Sequence, residues 1–180
     1  MIYDFDSTKA IQLILYILEK NGGEADFIKI FKILYFADQK HLAKFGRAMT
    51  NDNYIAMNHG PVPSNVYDIF KILKGQSLFN NMADAFTPYF KIENNQNVIS
   101  LRKPDLDEMS ESEVECLDEA ITENNDLGFA ELSAKSHDSA WISAERNGEI
   151  PLLKIAEAAG ANSEMLKYIE NKRELGRAFA

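Results

Sequence analysis

Between Asp26 and Gly46 the chain reads "DFIKIFKILYFADQKHLAKFG", and one residue in that run restricts the fold more than any other. At helical spacing Phe27, Phe31, Leu34, Leu42 and Phe45 share one face of a helix from about Asp26 to Phe45. Asp38 falls near the centre of that apolar stripe, with Tyr35 and His41 on its flanks; Lys29, Lys32, Lys40 and Lys44 lie on the opposite side. A carboxylate facing a core is costly, or is driven toward its neutral form, unless donors or a counter-charge meet it. Asp38 therefore requires a dedicated partner. His41, three residues on, is within reach along the helix. Across the fold the candidates are His59, the phenol of Tyr54, backbone N–H groups near Ser64, and His137.

The chain around that helix reads as one domain. With 180 residues, 46% of them hydrophobic and 26% charged, it is long enough to bury a core. "TKAIQLILYILEK" is a helix capped by Ser7, with Ala10, Leu13, Ile14, Ile17 and Leu18 at helical spacing and a stop at Asn21-Gly22-Gly23. "NYIAMNH" is strand-like. Gly60, Pro61, Val62 and Pro63 read as a turn, and "SNVYDIFKILKG" is a helix ending at Gly75. Residues 1–75 are thus a helix–helix–strand–helix core. Residues 76–103 are a loop and a β-hairpin, with Phe90 and Ile92 opposite Val98, Ser100 and Arg102 around an Asn-rich turn. Residues 104–180 are an acidic helical part. Ser110 or Ser112 caps a helix to about Glu123, helices follow at about 129–136 and 138–147, and a last one covers about 163–177. Ser136 or Asp138 is the cap for the helix bearing Trp141. The fold class is α+β: a single, mostly helical domain with a small antiparallel sheet that includes a β-hairpin.

Charge and cysteine usage narrow the functions. No apolar run approaches the ~20 residues a membrane-spanning helix needs. The start, "MIYDFDSTK", carries aspartates where a signal peptide has positive charge, so cytoplasm is the expected compartment. Cys116 is the single cysteine, which excludes an intramolecular disulfide and a multi-cysteine zinc site. Residues 1–103 hold 12 Lys/Arg against 10 Asp/Glu, and residues 104–180 hold 7 against 18, so the net charge of −9 divides as +2 and −11. The densest stretch, 105–126, has ten acids and no base. Such a run is a solvated helix face or a surface for a basic partner, and it argues against nucleic acid there. Glu111, Glu113, Glu115, Asp118, Glu119 and Glu123 form the candidate acidic contact surface.

Three readings fit the polar residues near Asp38. They are satisfied buried groups that lock the second helix to the turn, or part of a partner-binding groove, or a metal or acid/base site. The last would be a metal-dependent hydrolase using Asp38, His41, His59 and His137, with Asp38 and His41 at i and i+3 chelating one ion. No HExxH, GxSxG, Walker-type loop or GxGxxG accompanies it. A further alternative is a DNA-binding regulator working through the N-terminal helices and their lysine row.

Two blocks of sequence then point to a family. "KILYFADQKHLAKFGRAMTNDNYIAMNHGPVPSNVYDIF", residues 32–70, resembles the Panacea domain of SocA-like and phage-associated GepA-like antitoxins. The resemblance rests on Lys32, Leu34, Tyr35, Asp38, His41, Gly46, Tyr54, Gly60, Pro61, Val62, Pro63 and Tyr67. A second block, "LSAKSHDSAWISAERNGEIP", is similar to the family through Leu132, Ser133, His137 and Trp141. The resemblance implies a bacterial or prophage antitoxin of a toxin–antitoxin pair. Its partner would be a cognate protein toxin encoded by an adjacent gene, neutralised by direct contact or delivered to a protease such as a Clp-type complex. It implies no catalytic activity, cofactor or metal, and it sets no oligomeric state. Tyr35, Asp38, His41, Tyr54, His59, Tyr67, His137 and Trp141 are the expected polar network, with His59 as a hydrogen-bonding lock at the turn.

Overall fold

The structure, a computed structural model, describes residues 5–178; residues 1–4, the start of the stretch whose aspartates are unlike a signal peptide, lie outside them. The chain opens with α1 (Ser7–Lys20), β1 (Glu24–Asp26) and α2 (Phe27–Phe45). β2 (Tyr54–Met57), β3 (Gly60–Pro63) and α3 (Ser64–Leu73) follow, then β4 (Phe90–Glu93) and β5 (Asn97–Ser100). The C-terminal part holds α4 (Glu111–Asn124), α5 (Phe129–Ser136), α6 (Ser139–Ile142), α7 (Leu152–Ala158) and α8 (Ser163–Ala178). Short 3₁₀ turns lie at Asn80–Ala85 and Leu106–Glu108. The fold is α+β, and the expected helices and hairpin are present.

α2 is the centre. It packs on α4 and also meets β3, α5 and α7, so it is buried from Phe27 to Asp38 on almost every side. That corrects the single-stripe reading in two places. Lys32, expected on the outer face, is fully buried, and Phe45, expected on the inner stripe, is 38% exposed. The helix starts where Asp26 accepts a hydrogen bond from the Lys29 N–H (2.9 Å) and ends at Gly46 in the left-handed region (φ 66°). In α1 the cap is Asp6, not Ser7: its carboxylate accepts from the Lys9 N–H (2.9 Å). α4 begins at Ser110 with a capping box to Glu113, which decides between the two candidate serines.

The largest departure concerns Gly60–Pro63. This stretch is a strand, β3, paired antiparallel with β2 through Tyr54↔Pro63, Ile55↔Val62 and Met57↔Gly60. The turn is confined to Asn58 and His59. Residues 147–150 run along the other side of β2, with Ala56 N–H donating to the Gly148 carbonyl (2.9 Å) and Ile150 N–H to that of Tyr54 (2.8 Å). β3 is therefore an edge, where prolines without N–H groups disturb no ladder. The second sheet, ordered β1-β5-β4, contains the expected hairpin and adds β1, whose three residues carry no readable alternation. α6 is shorter than the expected 138–147, and α7, preceded by Pro151, was absent from the sequence reading.

Gly60 explains how tightly the hairpin sits. Its φ is +97°, and a Cβ there would meet the Ser136 hydroxyl and lie 2.8 Å from the Lys32 amine. Gly60→Ala should lower unfolding free energy by roughly 2 kcal/mol or more, combining backbone strain with the clash. Gly22→Ala, also at positive φ but with nothing within 4 Å, should cost about 1 kcal/mol of strain alone. Urea denaturation of both variants checks this, and equal losses would contradict the packing argument.

Candidate functional site

Asp38 is 1% exposed. Its carboxylate accepts from the Met49 N–H (2.8 Å) and from the Tyr54 phenol (2.8 Å). Burial pushes its pKa up to about 6, and those two hydrogen bonds restrain the rise. Tyr54 is thus the expected partner. The backbone donor is Met49 rather than a group near Ser64, and none of the histidines bonds Asp38. A second buried carboxylate, Asp52, was missed. It accepts from the Asn65 N–H (2.9 Å) and Val66 N–H (3.0 Å), capping α3 from outside the helix because Pro63 has no side chain to do so. The readable signal was a helix starting at Pro63-Ser64 with no local acceptor in its cap position.

Tyr35 and His41 flank Asp38 and bind different segments. The Tyr35 phenol donates to Asp138 (2.9 Å), as does the Gln39 amide (2.6 Å). Asp138 also receives the Ala140 and Trp141 N–H groups and so caps α6. His41 Nδ1 lies 2.8 Å from the Arg47 carbonyl, which can only accept, so Nδ1 carries the proton. Nε2 then accepts from Ser112 (3.1 Å). Burial lowers the His41 pKa, which keeps the ring neutral in this role.

The other two histidines do not join them. His59 is exposed at the hairpin turn with its ring edge-on to Phe129 (5.1 Å), so it is not the hydrogen-bonding lock. His137 stacks on Trp141 at 3.9 Å, and its buried Nε2 has no partner among the described residues. Burial, then the Lys32 charge, lower its pKa. The Trp141 indole donates to the Met57 carbonyl (3.0 Å). Asp38, His41, His59 and His137 are therefore dispersed. Among the described residues no three His, Cys, Asp or Glu side chains stand close enough to hold a metal ion. The expected single network is instead several separate locks.

Lys32 is the buried cation that sequence placed in solvent. Its amine donates to the Pro61 carbonyl (2.8 Å) and has no carboxylate partner; burial pushes its pKa down to about 7. The remaining lysines of the row are also engaged. Lys29 donates to the Asn125 carbonyl (2.7 Å), Lys40 pairs with Glu123 (2.6 Å) and Glu119 (3.4 Å), and Lys44 with Glu115 (2.8 Å) and Glu119 (2.5 Å). The lysine row that a DNA-binding reading would use is thus engaged within the fold. The same contacts describe the acidic run. Glu113 is buried and pairs with Lys9 (2.9 Å), and Asp118 meets Lys20 (3.1 Å) and the Tyr16 phenol (2.8 Å). Of the six acids, Glu111 alone has no ion pair among the described residues; the others fasten α4 to α1 and α2.

The concave surface nearest the motif lies beside the hairpin. A cavity of about 590 Å³ is walled by Phe27, Phe31, Tyr67, Val62 and Met57, with His59 and Phe129 at its rim. Tyr67 stands edge-on to Phe31 (5.7 Å) and carries the Lys71 amine over its ring (4.8 Å). Phe129 is 52% exposed although it begins a helix, and sequence reading had not singled it out. A large aromatic left in solvent beside an aromatic cleft is suited to contact with another molecule.

Comparison with known families gives a match. The family model for the antitoxin SocA-like, Panacea domain matches residues 30–142, from the first turn of α2 to the end of α6. No curated protein and no solved structure matches the chain.

Two buried groups set opposite pH trends. Asp38 titrates near about 6 in the fold against 3.8 ordinarily, so its contribution to stability is complete below 3.8 and lost as pH rises through about 6. Lys32 titrates near about 7 against 10.5, so its contribution is complete above 10.5 and lost as pH falls through about 7. Lys32→Met should remove a rise in unfolding free energy between about pH 7 and about pH 10, on the order of 2 kcal/mol. Urea denaturation at the two pH values measures it, and an undiminished rise in the variant would assign the titration to another group.

Proposed function

The chain belongs to the antitoxin SocA-like, Panacea domain family, and on that premise we propose that it is the antitoxin of a bacterial or prophage toxin–antitoxin pair. It neutralises a protein toxin, encoded by an adjacent gene, by forming a direct complex in the cytoplasm. The observation that carries this reading is the extent of the family match. It spans the hairpin, α3 and α5, which supply several of the residues lining the aromatic cleft.

Elimination and chemistry both support that cleft as the contact. Asp38, Tyr35 and His41 have their hydrogen-bonding capacity taken up inside the fold. Most acids of α4 already face lysines, so a toxin docking on them would first have to displace intramolecular pairs. Phe129 and His59 need no such rearrangement, and an exposed aromatic at a cleft rim is the kind of anchor that dominates binding energy. The overall charge of −9 speeds encounter with a basic toxin without specifying the contact.

Co-expression with the neighbouring gene tests this. Phe129→Ala should weaken the complex by about tenfold or more, as loss of an aromatic anchor does, and abolish protection while leaving the melting temperature unchanged. Asp38→Ala should lose protection together with about 1–3 kcal/mol of stability. Protection should persist in a host lacking Clp-type proteases if contact alone suffices. Full protection by Phe129→Ala, combined with loss on Glu111→Lys, would move the contact to α4.

A further inference from the structure

A second cavity, of about 550 Å³, lies on a different part of the molecule, between the end of α2 and α8. Its formation depends on Gly46. A Cβ at that position would lie 2.6 Å from the Tyr168 ring and 2.8 Å from the Met165 sulfur, so α8 crosses directly over the α2 terminus. Ile169 anchors the crossing in the core, and Lys172 and Arg173, three and four residues on, share its face and line the cavity. Arg47, next to Gly46, lines it from the other side.

The three cations are uncommitted. Arg47 makes only a long contact to the Ser112 hydroxyl (3.5 Å), Lys172 lies over the Tyr168 ring (5.8 Å), and none forms an ion pair among the described residues. In a chain of net charge −9 whose α1 and α2 lysines are largely paired, three unpaired cations lining one cavity favour an anionic ligand there. Two acids share the lining. Asp52 is occupied by the N-terminal N–H groups of α3, and Glu149 is exposed at the edge. The apolar surface open to the cavity comes from the half-buried Phe5 and Leu152, which lie over the buried Ile150, Ile155 and Ile169. A cavity of this size with an apolar floor and a few convergent polar groups fits a small organic ligand.

We infer that this cavity binds a small phosphorylated organic molecule, with its phosphate held by Arg47, Lys172 and Arg173 and its organic body against Phe5 and Leu152. Two guanidinium groups and an ammonium match a dianion, whose several oxygens accept bidentate hydrogen bonds.

Isothermal titration of the full chain with adenosine monophosphate, glucose 6-phosphate and phenyl phosphate tests it, with inorganic phosphate and adenosine as controls. At least one of the three esters should bind about tenfold tighter than inorganic phosphate, because the floor adds apolar contact, and adenosine should give no heat. Arg47→Ala and Arg173→Ala should each weaken that binding by about fivefold or more through loss of a charge-assisted hydrogen bond. Neither should change the melting temperature of the free protein. Absence of heat with all three esters, binding no tighter than inorganic phosphate (an adventitious ion only), or binding indifferent to both substitutions would overturn the site.

Discussion

The carboxylate of Asp38, sealed inside the molecule, is held by one backbone N–H and one phenol, and the segment that supplies both leads straight into the hairpin. The same relation recurs along α2. Lys32 reaches the Pro61 carbonyl on β3, Tyr35 reaches the cap of α6, and His41 reaches the Arg47 carbonyl and the first turn of α4. The buried polar groups of this helix are satisfied by several later segments of the chain. Leaving any of them unpaired in a low-dielectric interior costs far more than an exposed contact gains. α2 thereby fixes where the rest of the chain docks, and apolar packing fills the space between those points.

Local signals made much of this legible. The helical spacing of α1 to α4, the glycine after α2 and the Asn-rich turn of β4–β5 are short-range patterns, and they placed those elements to within a few residues. Asp38 on an apolar stripe announced a buried polar lock, and Tyr54 was among its named partners. What was not legible depends on contacts distant in sequence. A helical wheel assumes one buried face, so it sent Lys32 to solvent; only the enclosure of α2 by α4, α5, α7 and β3 shows otherwise. Gly-Pro-Val-Pro looked like a turn because prolines break ladders, yet an edge strand has no donors to lose there. Asp52 gave no periodic signal, since its partners are the first N–H groups of a helix that begins twelve residues later.

The acidic run shows how composition can mislead about surfaces. Ten acids in 105–126 read as a solvated or partner-facing helix. In the fold that helix faces the lysine row of α2, so two stretches that each looked like an interface complete one another. Individually such exposed pairs contribute little, but together they set the register of α4 on α2. The residues carrying the family resemblance divide in the same way: Lys32, Asp38, His41 and Gly60 hold the scaffold, while Val62 and Tyr67 border the cleft that Phe129 overhangs.

Hydrogen exchange of the chain alone and in complex with the product of the adjacent gene tests the proposed neutralisation by contact at that cleft most directly. Slowed exchange confined to the hairpin turn at 57–62 and the start of α5 at 128–132, with 111–124 unchanged, is the expected result. Protection of 111–124 with the hairpin unaffected would contradict it and make the acidic helix the contact.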